Sequence, residues 1–313
     1  MQAEVWLLEL DETPGAAFAA GLDTTVLDAR ERERAASFVR AVDRALYTAA
    51  HVALRTVLGG LLGERPQDLN FTREPCPCCG APHGRPALAV PGATHGRPAL
   101  AVPGPAHGRP ALPVPGATNG RPALAVPDPA PGPHALAEAG PTPTHPALPV
   151  PGGDASVPPP PLHFSLSHTR GMVLIATAPV PVGADVELRP APETVADLVS
   201  VLHLRERADI EAEEEPARRA AVFGRIWARK EAYLKGLGTG LGRDTTLDDL
   251  GGDGTGAGSA DERRHPADWT LHDLPCGPAH HGAVALRSPR AATEPPVLHR
   301  LTPEALRGGT LTA

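Results

Sequence analysis

Residues 223–241, FGRIWARKEAYLKGLGTGL, decide how the chain is read. Val222, Ile226, Trp227, Tyr233, Leu234 and Leu237 recur at three- and four-residue spacings, which predicts a helix with one apolar face. Pro216 is placed to begin it, and glycines at 236, 238, 240 and 242 to end it. Two charges interrupt the face: Lys230, four residues after Ile226, and Glu231, four after Trp227. A carboxylate on a core-facing stripe is costly unless it is paired, hydrogen-bonded or bound to metal. On its own, Glu231 reads equally well as half of a solvated pair with Lys235.

Upstream, Gly183-Ala184-Asp185-Val186-Glu187 reads as a strand. Alternation projects Asp185 and Glu187 to one side and turns Ala184 and Val186 to the opposite layer. Two carboxylates on one face repel unless a cation lies between them, and oxygen-only ligands favour magnesium. D-x-E is common on solvent-facing strand edges. With Glu231 added, three carboxylates flanked by Lys230 and Lys235 suit a magnesium diphosphate. A second cluster, Ser165-Leu166-Ser167-His168, ends a strand whose hydroxyls, imidazole and turn amides can all donate to phosphate. It reads equally as a capped strand end with a surface histidine, and the G-x-S-x-G elbow of serine hydrolases is absent.

In chain order, EVWLLEL (4–10) predicts the first strand, and Asp28 caps one long helix running to about residue 63. Leu69–Thr72 predicts a short strand. LHFSLSH and GMVLIATA predict two more strands, residues 193–200 and 205–213 predict helical segments, and WTLHDL (269–274) with GAVALR (282–287) predicts a closing hairpin. Residues 291–313 carry few packing signals and are expected to be a loose tail. Between these elements HGRPALAVPGAT and its variants recur every twelve residues over 83–130, and residues 81–161 hold 23 of the chain's 39 prolines. That density excludes sheet interior or helix and predicts a polyproline-like, disordered surface loop over 84–161. The expected organisation is an α/β (α+β) fold: an N-terminal lobe over 1–180 containing the repeat loop, and a C-terminal lobe with the magnesium site over 181–290.

The 313 residues carry a formal net charge of −7 with no basic stripe, which argues against nucleic acid as partner. No run of eighteen apolar residues predicts a membrane span. The acidic start lacks the basic region of a signal peptide, and four cysteines with three crowded at 76, 78 and 79 are no secreted disulfide framework, so a cytoplasmic address is expected. Cys76 and Cys79 have C-x-x-C spacing with His83 following. A structural zinc site needs four ligands, and only distant Cys276 remains, so unligated thiols are expected ahead of zinc. Arg30, Arg32, Arg34 and Arg40, interleaved with Glu31 and Glu33, predict a mostly solvated helix face from which one arginine can reach a phosphate.

Gly183-Ala184-Asp185-Val186-Glu187 followed by Trp227-Ala228-Arg229-Lys230-Glu231-Ala232-Tyr233-Leu234-Lys235 resembles the paired signatures of the 4′-phosphopantetheinyl transferases, specifically the larger surfactin-synthetase-activator type. HFSLSH (163–168) and the Arg34, Phe38, Asp43, Arg55 frame are similar to further family elements. Ala184 departs from the usual Ile or Val, on the face away from the metal. The resemblance implies two similar α/β lobes related by a pseudo-twofold axis, with coenzyme A between them. Asp185, Glu187 and Glu231 would hold Mg2+ on its diphosphate, and Lys230 and Lys235 would neutralise phosphates. Ser167, His168 and Arg34 would bind the nucleotide end. The family's G-K-P element is Gly-Arg-Pro here, repeated at Arg85, Arg97, Arg109 and Arg121, with Arg85 favoured because it follows the strand without a gap. The implied reaction is attack by a serine hydroxyl of an apo acyl or peptidyl carrier protein on the β-phosphate, releasing 3′,5′-adenosine bisphosphate. Glu231 or a bound water would act as general base, and a monomer is expected. The family serves fatty acid, polyketide and nonribosomal peptide biosynthesis and, in some members, lysine biosynthesis via aminoadipate.

Two rival functions fit parts of the chain. Another magnesium-dependent phosphodiester-cleaving enzyme could use Asp185, Glu187 and Lys230, but it would need a basic groove. A Pro-rich interaction protein could present preformed polyproline II, but the repeats lack aromatics and basic flanks.

Overall fold

The computed structural model describes residues 2–10, 17–89, 162–252, 265–289 and 293–308. The predicted capping box at Asp28 is present: its carboxylate accepts from Glu31 N–H at 2.8 Å, and Glu31 accepts from Asp28 N–H at 2.9 Å. The helix it starts, α1 (Ala29–Ala36), is short. The chain breaks at Ser37–Arg40 and begins again as α2 (Ala41–Leu62), ended by left-handed Gly63. One continuous helix would hold Glu31 and Arg55 about 36 Å apart, at 1.5 Å per residue. The break folds α1 back along α2, so that Arg55 Nε donates to Glu31 at 2.7 Å.

Arg55 is fully buried. It also donates to Asp28 and to the carbonyls of Pro66 and Leu69, and lies over the Phe71 ring. The arginine–glutamate face of α1 is therefore only partly solvated, because Glu31 is a buried partner. Burial pushes the Glu31 carboxyl up, but His51, the Asp28 N–H and Arg55 outweigh it and hold it below its ordinary value of 4.5. A depressed acid stabilises fully above its unfolded pKa and loses that contribution as pH falls through the folded one. Glu31→Gln is accordingly expected to be less stable than the wild type at pH 7 and to lose less on acidification below about 4.5. Urea midpoints at pH 7 and pH 3 check this, and an unchanged acid limb would reject it.

Strand β1 (Glu4–Glu9) was predicted almost to the residue. The hairpin β2 (Phe71–Arg73) and β3 (Pro86–Leu88) forms a separate two-stranded sheet, with Arg73 opposite Pro86. Residues 84–89 are thus ordered, contrary to the expectation of a disordered loop from 84. Pro86 opens its strand, a position where a missing N–H is tolerated. The rest of the repeat region, with Arg97, Arg109 and Arg121, lies outside the described residues. Next come β4 (His163–Thr169), β5 (Met172–Ala178) and β6 (Val182–Leu188). The helices α3 (Pro192–Leu198), α4 (Leu204–Glu211) and α5 (Pro216–Leu237) follow, α5 closing on Gly238 at φ +81°. Strands β7 (Thr270–Leu274) and β8 (His280–Leu286) form the predicted hairpin.

The described part of the tail, residues 293–308, is not loose. Val297–Leu301 forms β9, parallel to β1, and Pro303–Gly308 forms α6. Trp6 stacks on His299, Arg300 pairs with Glu9, and Leu301 and Leu306 enter the core beneath α2. The first sheet therefore has the order β4-β5-β1-β9 and borrows its edge from the C-terminal end; the second is β6-β8-β7. The layers run α2, first sheet, second sheet, α5. Trp6, Leu8, Phe164, Val173 and Ile175 face α2, whereas Val5, Leu7, Leu174 and Ala176 meet Val182, Ala184, Val186 and Val284 of the second sheet. By length and composition α2 could cross a membrane, but 61% of its most apolar window is buried in the fold, as expected of a core helix.

Candidate active site

The site begins with a close approach between β6 and α5. A Cβ at Gly183 would stand 1.9 Å from Ala232 O and 2.3 Å from Gly236 N, and one at Gly236 would stand 2.6 Å from the Trp269 ring. Glycine at both positions lets the strand backbone lie on the helix backbone. Gly183→Ala is expected to destabilise the fold by at least about 1–3 kcal/mol, the usual cost of overpacking, since the clash is with main chain. Chemical denaturation measures it, and an unchanged midpoint would reject the packing.

Side chains on the α5 face of the second sheet follow from register. Gly183, Asp185 and Glu187 stand opposite Ala285, Ala283 and His281, and those alanines pack on Ala228 and Ala232 of α5. Asp185 and Glu187 thus share one face, while Ala184 and Val186 lie in the layer behind, as alternation predicts. His281 extends the same row, against Gly224. Burial, with Arg189 and Arg225 nearby, pushes its pKa down to about 4, so the ring is neutral near pH 7.

Asp185 is fully buried. Its Oδ1 accepts from Lys235 Nζ at 2.6 Å and from Ser167 Oγ at 2.8 Å. Lys235 Nζ also reaches Ser167 Oγ at 2.9 Å and Ala184 O at 3.3 Å. The second oxygen, Oδ2, is buried with no hydrogen-bond partner among the described residues. A buried anionic oxygen left in that state is costly. With Glu187 two residues on and 6% exposed, the donor set is all oxygen. These residues fit a hard divalent cation such as magnesium.

The sequence-predicted site divides. Lys235 and Asp185 meet directly, and Glu231 lies one turn before Lys235, on the same stripe of α5. Lys230 does not join them. It is 1% exposed, pairs with the fully buried Glu206 at 2.8 Å, and donates to Thr245 O and Asp248 O, tying α5 to α4 and to the following loop. Its position four residues after Ile226 turns it toward the α3–α4 side, where Phe223 and Ile226 pack. Ser167 is placed on Asp185 and on the Val186 N–H rather than as a free phosphate donor, and Ser165 accepts from Ala184 N–H at 2.9 Å. The two hydroxyls satisfy amides of β6 where β4 runs beside it. His168 is half-buried near the end of β4. Arg34 is exposed on α1 over the Phe38 ring, with Ser37 Oγ at 3.4 Å.

Arg85 docks. It donates to Glu74 and, at 2.9 Å, to Gly236 O at the end of α5, and a Cβ on Gly238 would stand 2.9 Å from its side chain. Sequence reasoning missed Glu206 as the partner of Lys230. Its only local sign was the three-residue offset from His203, which is a capping box in the structure.

Residues 181–285, which include β6, α5 and the β7–β8 hairpin, match the model of the 4′-phosphopantetheinyl transferase superfamily. The 4′-phosphopantetheinyl transferase psf-1 of Bacillus pumilus is 31% identical over 143 residues, 44% of this chain and 59% of that protein. The 4′-phosphopantetheinyl transferase AcpT of Salmonella typhi is 41% identical over 80 residues, 25% of this chain and 41% of that protein. A 4′-phosphopantetheinyl transferase of Bacillus subtilis is 29% identical over 82 residues, 26% of this chain and 36% of that protein. The chain thus spans between about a third and three fifths of the length of these curated relatives.

Proposed function

We propose that this chain transfers the 4′-phosphopantetheine arm of coenzyme A to a serine hydroxyl of an apo acyl or peptidyl carrier protein, releasing 3′,5′-adenosine bisphosphate. The observation that carries the reading is the orphaned Asp185 Oδ2 beside Glu187 and Lys235, within the segment that matches the superfamily model. Asp185, Glu187 and Glu231 are the residues that would hold Mg2+. When bound, the ion would neutralise diphosphate charge and polarise the phosphorus–oxygen bonds.

The chain's own residues supply the rest. Ser167 holds Asp185 in one orientation from β4, and the Gly183–Gly236 contact fixes the distance between β6 and α5. Lys235, with 27% of its side chain exposed, offers a positive charge to a phosphate at the mouth of the site. Glu231 stands one turn away on the same stripe and, in this reading, it or a bound water would accept the serine proton. Arg85 secures the end of α5 immediately after Lys235. We read the two halves, each a sheet backed by a 22-residue helix, as pseudo-twofold lobes with coenzyme A at their junction. The reaction places the protein where coenzyme A and carrier proteins occur, in the cytoplasm.

The test is incubation with coenzyme A, magnesium and several apo carrier proteins, followed by intact mass. A gain of one phosphopantetheine arm, lost with chelator, is expected; no gain with any carrier overturns the reading.

A further inference from the structure

The proposed reaction makes no use of the tip of the β2–β3 hairpin. There Cys76-Pro77-Cys78-Cys79-Gly80 turns tightly. Gly80 N–H donates to Cys76 O, Cys76 N–H to Ala81 O and His83 N–H to Ala81 O, each at 2.8 Å, and Gly80 takes φ +72°. The amides of Cys78 and Cys79 face the Cys76 sulfur. The turn gathers one ligand atom each from Cys76, Cys79 and His83 within 4.8 Å of one another, with Cys79 Sγ 3.0 Å from His83 Nε2. Two sulfurs and an imidazole form a softer donor set than the all-oxygen site on β6 and suit zinc. All four cysteines are free thiols. Cys276 is not a fourth ligand, because it is buried between the two sheets.

We propose that Cys76, Cys79 and His83 bind one zinc ion, whose fourth position opens to solvent on the exposed side of Cys79 and His83. Binding displaces the two thiol protons to solvent and leaves two thiolates and a neutral imidazole on the metal. The ion closes the loop whose base is the Glu74–Arg85 pair. Glu74 N–H donates to Arg85 O and Gly84 N–H to Glu74 O, both at 2.9 Å, and the Arg85 side chain rests on Gly236 O. Zinc at the tip would therefore stiffen the segment that presents Arg85 to the end of α5.

The test loads the full chain with zinc sulfate, desalts it, and counts metal by mass spectrometry. About one zinc per chain is expected for the wild type. Cys79→Ser and His83→Ala, both at exposed positions, are expected to fold and to retain little, whereas Cys78→Ser keeps the metal. Cobalt in place of zinc is expected to give tetrahedral ligand-field bands with thiolate charge transfer, weakened in Cys79→Ser. The proposal is overturned if the wild type retains no zinc, if Cys79→Ser and His83→Ala retain as much as the wild type, or if Cys78→Ser loses it as completely as Cys79→Ser. None of these outcomes depends on transferase activity.

Discussion

Asp185→Asn is expected to lower phosphopantetheine transfer by roughly two to three orders of magnitude, the size of effect seen when one preorganised electrostatic group is removed. The substitution keeps the shape and leaves an oxygen to accept from Ser167. It removes the negative charge and turns the orphaned Oδ2 position from acceptor to donor, so the proposed cation would lose its most buried ligand. Lys235 loses its countercharge as well, but it keeps the same oxygen, Ser167 Oγ and Ala184 O as acceptors, and more than a quarter of its side chain is exposed, so water covers part of the deficit. Unfolding should therefore change little while the rate falls and the magnesium requirement rises. Initial rates across a magnesium titration, with a thermal melt of the same sample, measure both. A folded variant with a near-normal rate would remove Asp185 from the chemistry and weaken the transferase reading as a whole.

Lys230→Met is expected to act in the opposite way, costing about 3–5 kcal/mol of stability, because breaking one side of a buried ion pair leaves the other charge uncompensated. Burial pushes Glu206 up and Lys230 down, and each partner opposes the shift in the other. Without Lys230, Glu206 keeps the N–H groups of His203 and Leu250 but loses its countercharge. The carbonyls of Thr245 and Asp248 lose their donor too. Adding Glu206→Gln should restore part of the loss, and the double-mutant cycle measures the coupling. Denaturant midpoints of the four proteins decide it. A Lys230→Met protein as stable as the wild type but slow in transfer would return the residue to the chemistry.

The contrast between these two variants shows where the sequence was legible. Lys230 and Lys235 are both lysines on one helix, five residues apart, and the signature that this stretch resembles marks both. Periodicity places them on different stripes but carries no record of what covers each stripe. One stripe meets Glu206 from α4, the other Asp185 from β6. Arg55 is a similar case. Its helix was legible, but the break at 37–40 that brings Glu31 to it was not, because Ser37–Arg40 contains no glycine or proline. The strand at 297–301 escaped notice for a different reason. Its partner β1 lies some 290 residues earlier, and a five-residue edge strand has too few alternations to stand out locally.

By itself the sequence determined the strands β1 and β4–β8, the long helix α5 with its glycine stop, and the shared face of Asp185 and Glu187. All of these follow from periods of 2 and 3.6 and from residues with restricted or permissive backbones, which act within a few positions of themselves. Only the tertiary structure decided that Lys230 pairs with buried Glu206 and Lys235 with Asp185, that Ser165 and Ser167 satisfy β6, and that Arg85 holds the end of α5. It also decided that Cys76, Cys79 and His83 converge. Each of these depends on which groups arrive from elsewhere to satisfy a charge or hydrogen bond once water is excluded. That demand is set by burial, and burial exists only after the layers have packed.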